Sequence, residues 1–182
     1  MKQSRFGRLF LSVLFAALCG WLMLGLSACE ASQPIAEPVA QLKPVTLDST
    51  VKLAAGQTVY VPIYSHIYTW ERSKTIDLTA TLSVRNTDLE RPIILSTVNY
   101  YDSSGKLVRK YLEQPVELGS LASTNFLVNQ QDTSGGSGAA FVVEWVSQTT
   151  VSTPVIEAVL INTIGNQGLS FISSGRVIKS LS

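Results

Sequence analysis

Residues 75–85 alternate between apolar and polar side chains with a period of two. The apolar positions are Ile76, Leu78, Ala80, Leu82 and Val84. Successive side chains of a β-strand point to opposite faces of a sheet, so this period is typical of a strand that is buried on one face only. The segment is therefore predicted to be a half-buried strand.

The same signal recurs along the chain. Residues 93–101 and 107–112 flank Asp102-Ser103-Ser104-Gly105, which predicts a hairpin with a glycine-containing turn. Further strands are predicted at 57–67, 122–128, 139–146, 155–162 and 168–172. No helical period is sustained after the N-terminal segment. Short strands at even spacing favour an all-β fold, here an immunoglobulin-like or fibronectin-like antiparallel β-sandwich of about 7–8 strands.

The N-terminus has the pattern of an export signal. Lys2, Arg5 and Arg8 precede an almost unbroken apolar run over 9–26. The run ends in Leu26-Ser27-Ala28-Cys29, which resembles the lipobox of bacterial lipoproteins. The resemblance implies that Cys29 becomes a lipid-carrying N-terminus, anchored to a bacterial membrane and facing the periplasm or exterior. The alternative is an uncleaved signal anchor, since a run of this length can span a bilayer.

Three prolines punctuate the segment after Cys29. Pro34, Pro38 and Pro44 are separated by small and polar residues, a composition typical of an extended tether. The predicted organisation is a signal peptide at 1–28, the lipidated cysteine with its tether at 29–48, and a β-sandwich domain at 49–182.

Composition excludes some classes of function. The chain of 182 residues is 46% hydrophobic and 15% charged, so extensive disorder is not expected. Without residues 1–28 it has 11 basic and 13 acidic residues, which argues against a nucleic-acid partner. Two cysteines and one histidine cannot form a Cys/His zinc cluster, and no cofactor is predicted.

An aromatic stripe is the first candidate site. On one continuous strand over 59–70, one face would carry Tyr60, Pro62, Tyr64, His66, Tyr68 and Trp70. Such a stripe can stack on sugar rings or contact a partner protein. Pro62 predicts an edge strand. The alternative is that these rings only cover the sandwich or pack under a loop. The opposite face, which suits a core, would carry Val59, Val61, Ile63, Ser65 and Ile67.

A glycine-rich loop is the second candidate site. Its residues are Asp132, Thr133, Ser134, Gly135 and Gly136, followed by Ser137 and Gly138. Glycines allow backbone amides to converge on an anion, although the loop lacks the lysine and helix of a P-loop. The alternative is a tight inter-strand turn. If the loops share one end of the sandwich, Glu71, Asp102 and Asp132 can converge as weak metal-ligand candidates.

Several segments resemble a known family. They are Val59-Tyr60-Val61-Pro62-Ile63-Tyr64-Ser65, Leu82-Ser83-Val84-Arg85-Asn86-Thr87-Asp88, Tyr100-Tyr101-Asp102, Asp132-Thr133-Ser134-Gly135-Gly136-Ser137-Gly138 and Phe141-Val142-Val143-Glu144-Trp145. Together they resemble bacterial domain of unknown function 3124 over about residues 57–178. The resemblance supports an exported single domain and implies no activity, ligand or catalytic residue.

Three hypotheses for the function follow from these features. The first is a membrane-anchored, non-catalytic binding or accessory module, with an envelope protein or a glycan as its partner. The second is a metal-dependent module or enzyme centred on the Asp132 loop. The third is a structural subunit of an envelope complex.

Overall fold

The computed structural model describes residues 42–48, 50–163 and 168–181. The chain forms antiparallel β-strands through most of these ranges. The strands are β1 (Lys43–Pro44), β2 (Ala55–Pro62), β3 (His66–Tyr68), β4 (Thr75–Asp77), β5 (Thr79–Arg85), β6 (Ile93–Tyr101), β7 (Leu107–Lys110), β8 (Val116–Leu118), β9 (Ser123–Val128), β10 (Ala140–Ser147), β11 (Val155–Asn162), β12 (Leu169–Ser174) and β13 (Arg176–Ser180). One 3-10 turn at Gly136–Gly138 precedes β10. The described residues include no helix long and apolar enough to cross a membrane.

The strands form two main sheets and a separate hairpin. The large sheet has the order β1-β8-β6-β10-β2-β13, with β7 also paired to β6. The small sheet has the order β12-β11-β5-β9, and β3 pairs with β4. The fold class is confirmed as an all-β antiparallel sandwich. The predicted export signal, Cys29 and the tether up to residue 41 lie outside the described residues.

The core lies between the two sheets. It consists of the apolar side chains that alternate with polar side chains along the strands. In β5, Ala80, Leu82 and Val84 are buried while the threonines and serine between them are not. Across the core, Phe141 and Trp145 of β10 are buried as well. Each large apolar side chain buried in this way contributes about 1.5–3 kcal/mol. Both cysteines of the chain precede the described residues, so this part of the sandwich is held together by packing.

Strands that the sequence pattern missed are short or lie at an edge. β1 and β8 have two and three residues, too few to show a period. All five residues of β13 are exposed, because this strand joins the sheet through its backbone and not through a buried face. β1 pairs with β8, so the large sheet begins at Lys43, within the predicted tether.

The expectation that Pro62 marks an edge strand is wrong. β2 lies between β10 and β13 in the large sheet. β13 pairs with β2 only as far as Tyr60, so the missing amide of Pro62 lies beyond the last hydrogen-bonded partner on that side.

A single residue, Gly175, carries the chain from the small sheet to the large one. It follows Ser174, which pairs with Glu157, and precedes Arg176, which pairs with Tyr60. The Gly175 amide donates to the Ile156 carbonyl at 2.9 Å. A Cβ at this position would lie 2.6 Å from that carbonyl oxygen and 2.7 Å from Val59 Cγ1. The crossing therefore requires a residue without a side chain.

We expect Gly175→Ala to lower the free energy of unfolding by about 1–3 kcal/mol, because the methyl group would overpack the junction of the two sheets. Gly119→Ala is the matched control, since nothing lies within 4 Å of its added Cβ. Urea denaturation followed by circular dichroism measures both variants. Equal midpoints for the two alanine variants would contradict the assigned role of Gly175.

Candidate functional site

The predicted aromatic stripe does not form a single face. β2 ends at Pro62, and the next strand begins only at His66. Ile63 and Ser65, between the two strands, are buried. Their burial agrees with the predicted core face, but β2 ends before them and His66 begins a separate hairpin, so the stripe is divided among three places.

Each part of the stripe has its own environment. Tyr60 lies on the outer face of the large sheet, in register with Val142 and Arg176. Tyr64 packs against the core, with its ring 6.0 Å from that of Phe171 in an edge-on geometry. Pro62 is the last residue of β2. The other three residues, His66, Tyr68 and Trp70, belong to the β3–β4 hairpin, residues 66–77, which we call the aromatic hairpin.

The aromatic hairpin presents exposed rings on an ordered turn. Trp70 is 91% exposed and Tyr68 is 50% exposed. The His66 and Tyr68 rings meet edge-on at 5.5 Å. The turn is closed by a hydrogen bond from the Thr69 amide to the Lys74 carbonyl at 2.9 Å and by the Glu71–Lys74 ion pair at 2.8 Å. Trp70 therefore lies in a turn whose backbone is fixed by contacts of Lys74 with the residues on either side of Trp70, Thr69 and Glu71.

The base of the aromatic hairpin is fixed to the core through Ser65. Its amide donates to the Gly136 carbonyl at 2.9 Å, and its carbonyl accepts the Leu78 amide at 2.8 Å. The Ser65 hydroxyl shares a hydrogen bond of 2.9 Å with the hydroxyl of Tyr100, which is fully buried. Ordered polar contacts thus connect the hairpin to the sandwich.

His66 has an acidic residue opposite it. Asp77 is its Cα partner in the β3–β4 pair. Within the described structure, no side-chain hydrogen bond or ion pair joins the two residues. The Asp77 carbonyl instead accepts the side-chain amides of Gln130 and Asn162, which fix the second strand of the hairpin.

The glycine-rich loop packs against neighbouring turns. A Cβ on Gly135 would overlap the Tyr100 hydroxyl, and Gly136 has a φ of +74°. The Ser103 hydroxyl donates to the Gly135 carbonyl at 2.9 Å and accepts the Gly138 amide at 2.8 Å. The glycines therefore permit close backbone contacts with the β6–β7 turn.

Asp132 has several partners within the protein. Its Oδ2 forms an ion pair with Arg109 at 2.8 Å, and its Oδ1 accepts the Ser134 amide and hydroxyl. The Ser134 hydroxyl, more than the nearby Arg109 charge, lowers the pKa of Asp132. Thr133 is exposed, and its carbonyl accepts the Gly136 amide at 3.2 Å. The loop candidates are thus brought together, with Asp132 engaged in local bonds.

The three carboxylates that we considered as metal ligands do not form a cluster. Among the described residues, no group of three or more His, Cys, Asp or Glu side chains can hold a metal ion. Glu71 pairs with Lys74, whereas Asp102 closes the β6–β7 turn by accepting the Ser104 and Lys106 amides. Hydrogen bonds from the Ser104 hydroxyl and the Lys106 amide lower the pKa of Asp102.

Sequence reasoning missed a groove on the outer face of the large sheet. Its volume is about 270 Å³. The outward-facing polar residues of its lining include Thr58, Glu144 and Lys179. Ser96 also lines it, and its hydroxyl donates to the Glu144 carbonyl at 3.1 Å. Thr58 of β2 lies between Glu144 of β10 and Lys179 of β13 in register. The alternation of β10 places Glu144 on the outer face, but the register that places Lys179 two strands away, on the other side of Thr58, depends on the fold.

A second groove, of about 230 Å³, follows the first on the same face. Its lining includes Arg91, Glu117 and Gln148. Val146, which lines the first groove, is the Cα partner of Ile94, which lines the second. The linings of the two grooves therefore adjoin at this pair.

Comparison with known proteins finds one family. The sequence model of a family described as protein of unknown function (DUF3124) matches residues 56–178. This range runs from β2 into β13 and contains the aromatic hairpin and most of the groove lining. No curated protein and no solved structure matches the chain.

We expect Tyr100→Phe to destabilise the protein by about 1 kcal/mol, because it leaves the buried Ser65 hydroxyl without its partner. The same substitution should accelerate hydrogen exchange of the Ser65 and Leu78 backbone amides. Tyr101→Phe is the control, since Tyr101 is half-buried in the same strand and no side-chain hydrogen bond to it is found in the described structure. Denaturation together with hydrogen exchange tests this, and equal stability of the two variants would disprove the role of the Tyr100 hydroxyl.

Proposed function

We propose that this chain, which belongs to the DUF3124 family of proteins of unknown function, is an exported and lipid-anchored protein of the bacterial envelope. Its β-sandwich acts as a non-catalytic binding or accessory module that faces the periplasm or exterior. The aromatic hairpin is the surface that contacts the partner.

Anchoring is supported by the order of features at the N-terminus. Basic residues, an apolar run and Leu26-Ser27-Ala28-Cys29 follow one another, as in the lipobox of bacterial lipoproteins. The first strand begins at Lys43. Residues 30–42 span at most about 45 Å when fully extended, which sets the reach of the sandwich from a lipid attached to Cys29.

The observation that carries the binding role is the exposure of Trp70. A tryptophan that is 91% exposed leaves a large apolar surface in water and contributes little to the core. The turn and the Ser65 contacts already order its backbone, so binding costs little additional conformational entropy. Exposed aromatic residues on an ordered support are the common anchors of protein interfaces.

Metabolic labelling with an alkyne fatty acid tests the anchor. We expect Cys29→Ser to abolish incorporation of the label in a bacterial host, because it removes the thiol that carries the lipid. Cys19→Ser is the matched control and should retain the label, since Cys19 lies within the predicted signal peptide. Label that persists in Cys29→Ser would contradict the proposed lipidation.

Photo-crosslinking in the native envelope tests the hairpin. A benzoylphenylalanine at Ser73, in the same exposed turn as Trp70, should give a discrete adduct on a denaturing gel. Trp70→Ala in the same chain should remove the adduct, because the anchoring ring is lost. Benzoylphenylalanine at Leu89, which is exposed at the opposite end of β5, is the control. Identical adducts from both positions, or none from Ser73, would count against this surface.

A further inference from the structure

The end of the sandwich at which the chain enters β1 lies opposite the aromatic hairpin. Lys43 faces Glu117 of β8, and Glu117 faces Ile94 near the start of β6. The aromatic hairpin follows Pro62, which lies in the same row of the large sheet as Tyr101, the last residue of β6. β6 is nine residues long, so the two ends are about 25 Å apart. The proposed lipid anchor therefore joins the sandwich at the end remote from the aromatic hairpin.

Two exposed leucines lie in loops at the end where the chain enters. Leu89, between β5 and β6, is 75% exposed, and Leu121, between β8 and β9, is 65% exposed. The Leu121 amide donates to the Asp88 carbonyl at 3.1 Å, so the two loops are joined next to the leucines. We call Leu89 and Leu121 the leucine tips.

The loops that carry the leucine tips are held in fixed positions. Asn86, which is buried, donates to the Arg91 carbonyl in one loop and to the Gly119 carbonyl in the other. Asp88 accepts the Ser152 amide at 2.9 Å, which joins the loop between β10 and β11 to the same cluster. The leucine tips are therefore ordered before they meet a surface, which lowers the entropic cost of the contact.

Leu121 has a backbone conformation that leucine rarely adopts. In the described ranges it is the only non-glycine residue with a positive φ, at +55°. Such a conformation costs free energy and is most common at functional sites. Asparagine would tolerate this backbone better and would remove apolar surface from water. An exposed leucine here is therefore not explained by the stability of the loop.

We propose that the leucine tips dock on the bilayer that holds the lipid anchor, with both side chains at the boundary of headgroups and acyl chains. The inference rests on the proposed lipidation of Cys29. Residues 30–42 lead from the anchor to this end of the sandwich and span at most about 45 Å. The anchor makes the docking an intramolecular step, so two leucines suffice for a preferred orientation although they would not retain a free protein. The aromatic hairpin then points away from the membrane.

The composition of the leucine tips favours a bilayer over a protein as the occupant. Protein hot spots are enriched in tryptophan, tyrosine and arginine and contain few leucines. Leucine is common where apolar side chains enter the boundary of headgroups and acyl chains. Glu90 and Arg91, which follow Leu89, are exposed and of opposite charge, so the contact depends on the leucines and not on the headgroup charge.

Fluorescence quenching of the lipidated chain in vesicles tests the docking. The vesicles contain phosphatidylethanolamine, phosphatidylglycerol and a lipid with a nitroxide near its headgroup. In Leu89→Cys the new thiol carries a nitrobenzoxadiazole label, because the Cys29 thiol is occupied by lipid. Docking places this label about 5–10 Å into the headgroup boundary, so the nitroxide should quench it.

Labels at two other positions are the controls. Leu127 is an exposed leucine near the opposite end of β5, where it faces Thr81, and Ser73 lies in the aromatic hairpin. Labels introduced through Leu127→Cys and Ser73→Cys should keep their fluorescence, because both positions point away from the bilayer.

A second substitution tests the role of the other leucine tip. Leu121→Asn should reduce the quenching of the label at residue 89, because half of the apolar contact is lost while asparagine tolerates the positive φ. Leu127→Asn is the matched control and should leave the quenching unchanged. Thermal unfolding followed by circular dichroism checks that both variants are folded.

Three results would overturn the proposal. They are equal quenching at residues 89, 127 and 73, no quenching at residue 89, and a blue shift of that label without quenching, which would indicate contact with a second copy of the chain. In each case the fatty-acid label on Cys29 would still support the anchor. A chain without lipid on Cys29 would overturn the anchor itself and the docking with it, so the two failures are distinguishable.

Discussion

The buried hydroxyl of Tyr100 organises one end of the sandwich. It bonds to Ser65 at 2.9 Å and lies so close to Gly135 that no larger residue fits there. Through Ser65 it fixes the aromatic hairpin, and through Gly135 it fixes the glycine-rich loop. Ser103 bonds that loop to the β6–β7 turn. One polar group in the core thus sets the relative positions of three surface segments, because a buried hydroxyl without a partner would cost about 1–3 kcal/mol.

Asn86 has a comparable role at the other end of β5. It is buried, and its side-chain amide donates to the carbonyls of Arg91, Leu118 and Gly119 at 2.8 to 3.2 Å. Its Oδ1 accepts the Asp88 amide. Buried side chains therefore satisfy loop backbone groups at both ends, while apolar packing holds the sheets together between them.

Acidic residues in the turns are engaged in holding the backbone. Asp48, Asp88, Asp102 and Asp132 each accept an amide within a few residues. The pKa of each carboxyl is lowered, chiefly by a neighbouring Thr or Ser hydroxyl at Asp48, Asp102 and Asp132, and chiefly by the Ser152 amide at Asp88. The aspartate and glycine pattern around Asp132 is thus explained by turn geometry. Glu144 differs, because it lies on the face of a sheet beside polar side chains and no turn uses its carboxylate.

The sequence by itself determined the fold class and the faces of the long strands. Whether Leu82 or Trp145 points into the core follows from local alternation, which does not depend on the partner of the strand. The same rule placed Val59, Val61, Ile63 and Ser65 in the core, and all four are buried. It did not show that β2 ends at Pro62 and that the next strand belongs to a separate hairpin, so the aromatic residues of this segment do not share one face. Tertiary structure alone placed Lys179 and Glu144 on either side of Thr58, since the register of strands distant in sequence depends on the pairing of the whole sheet.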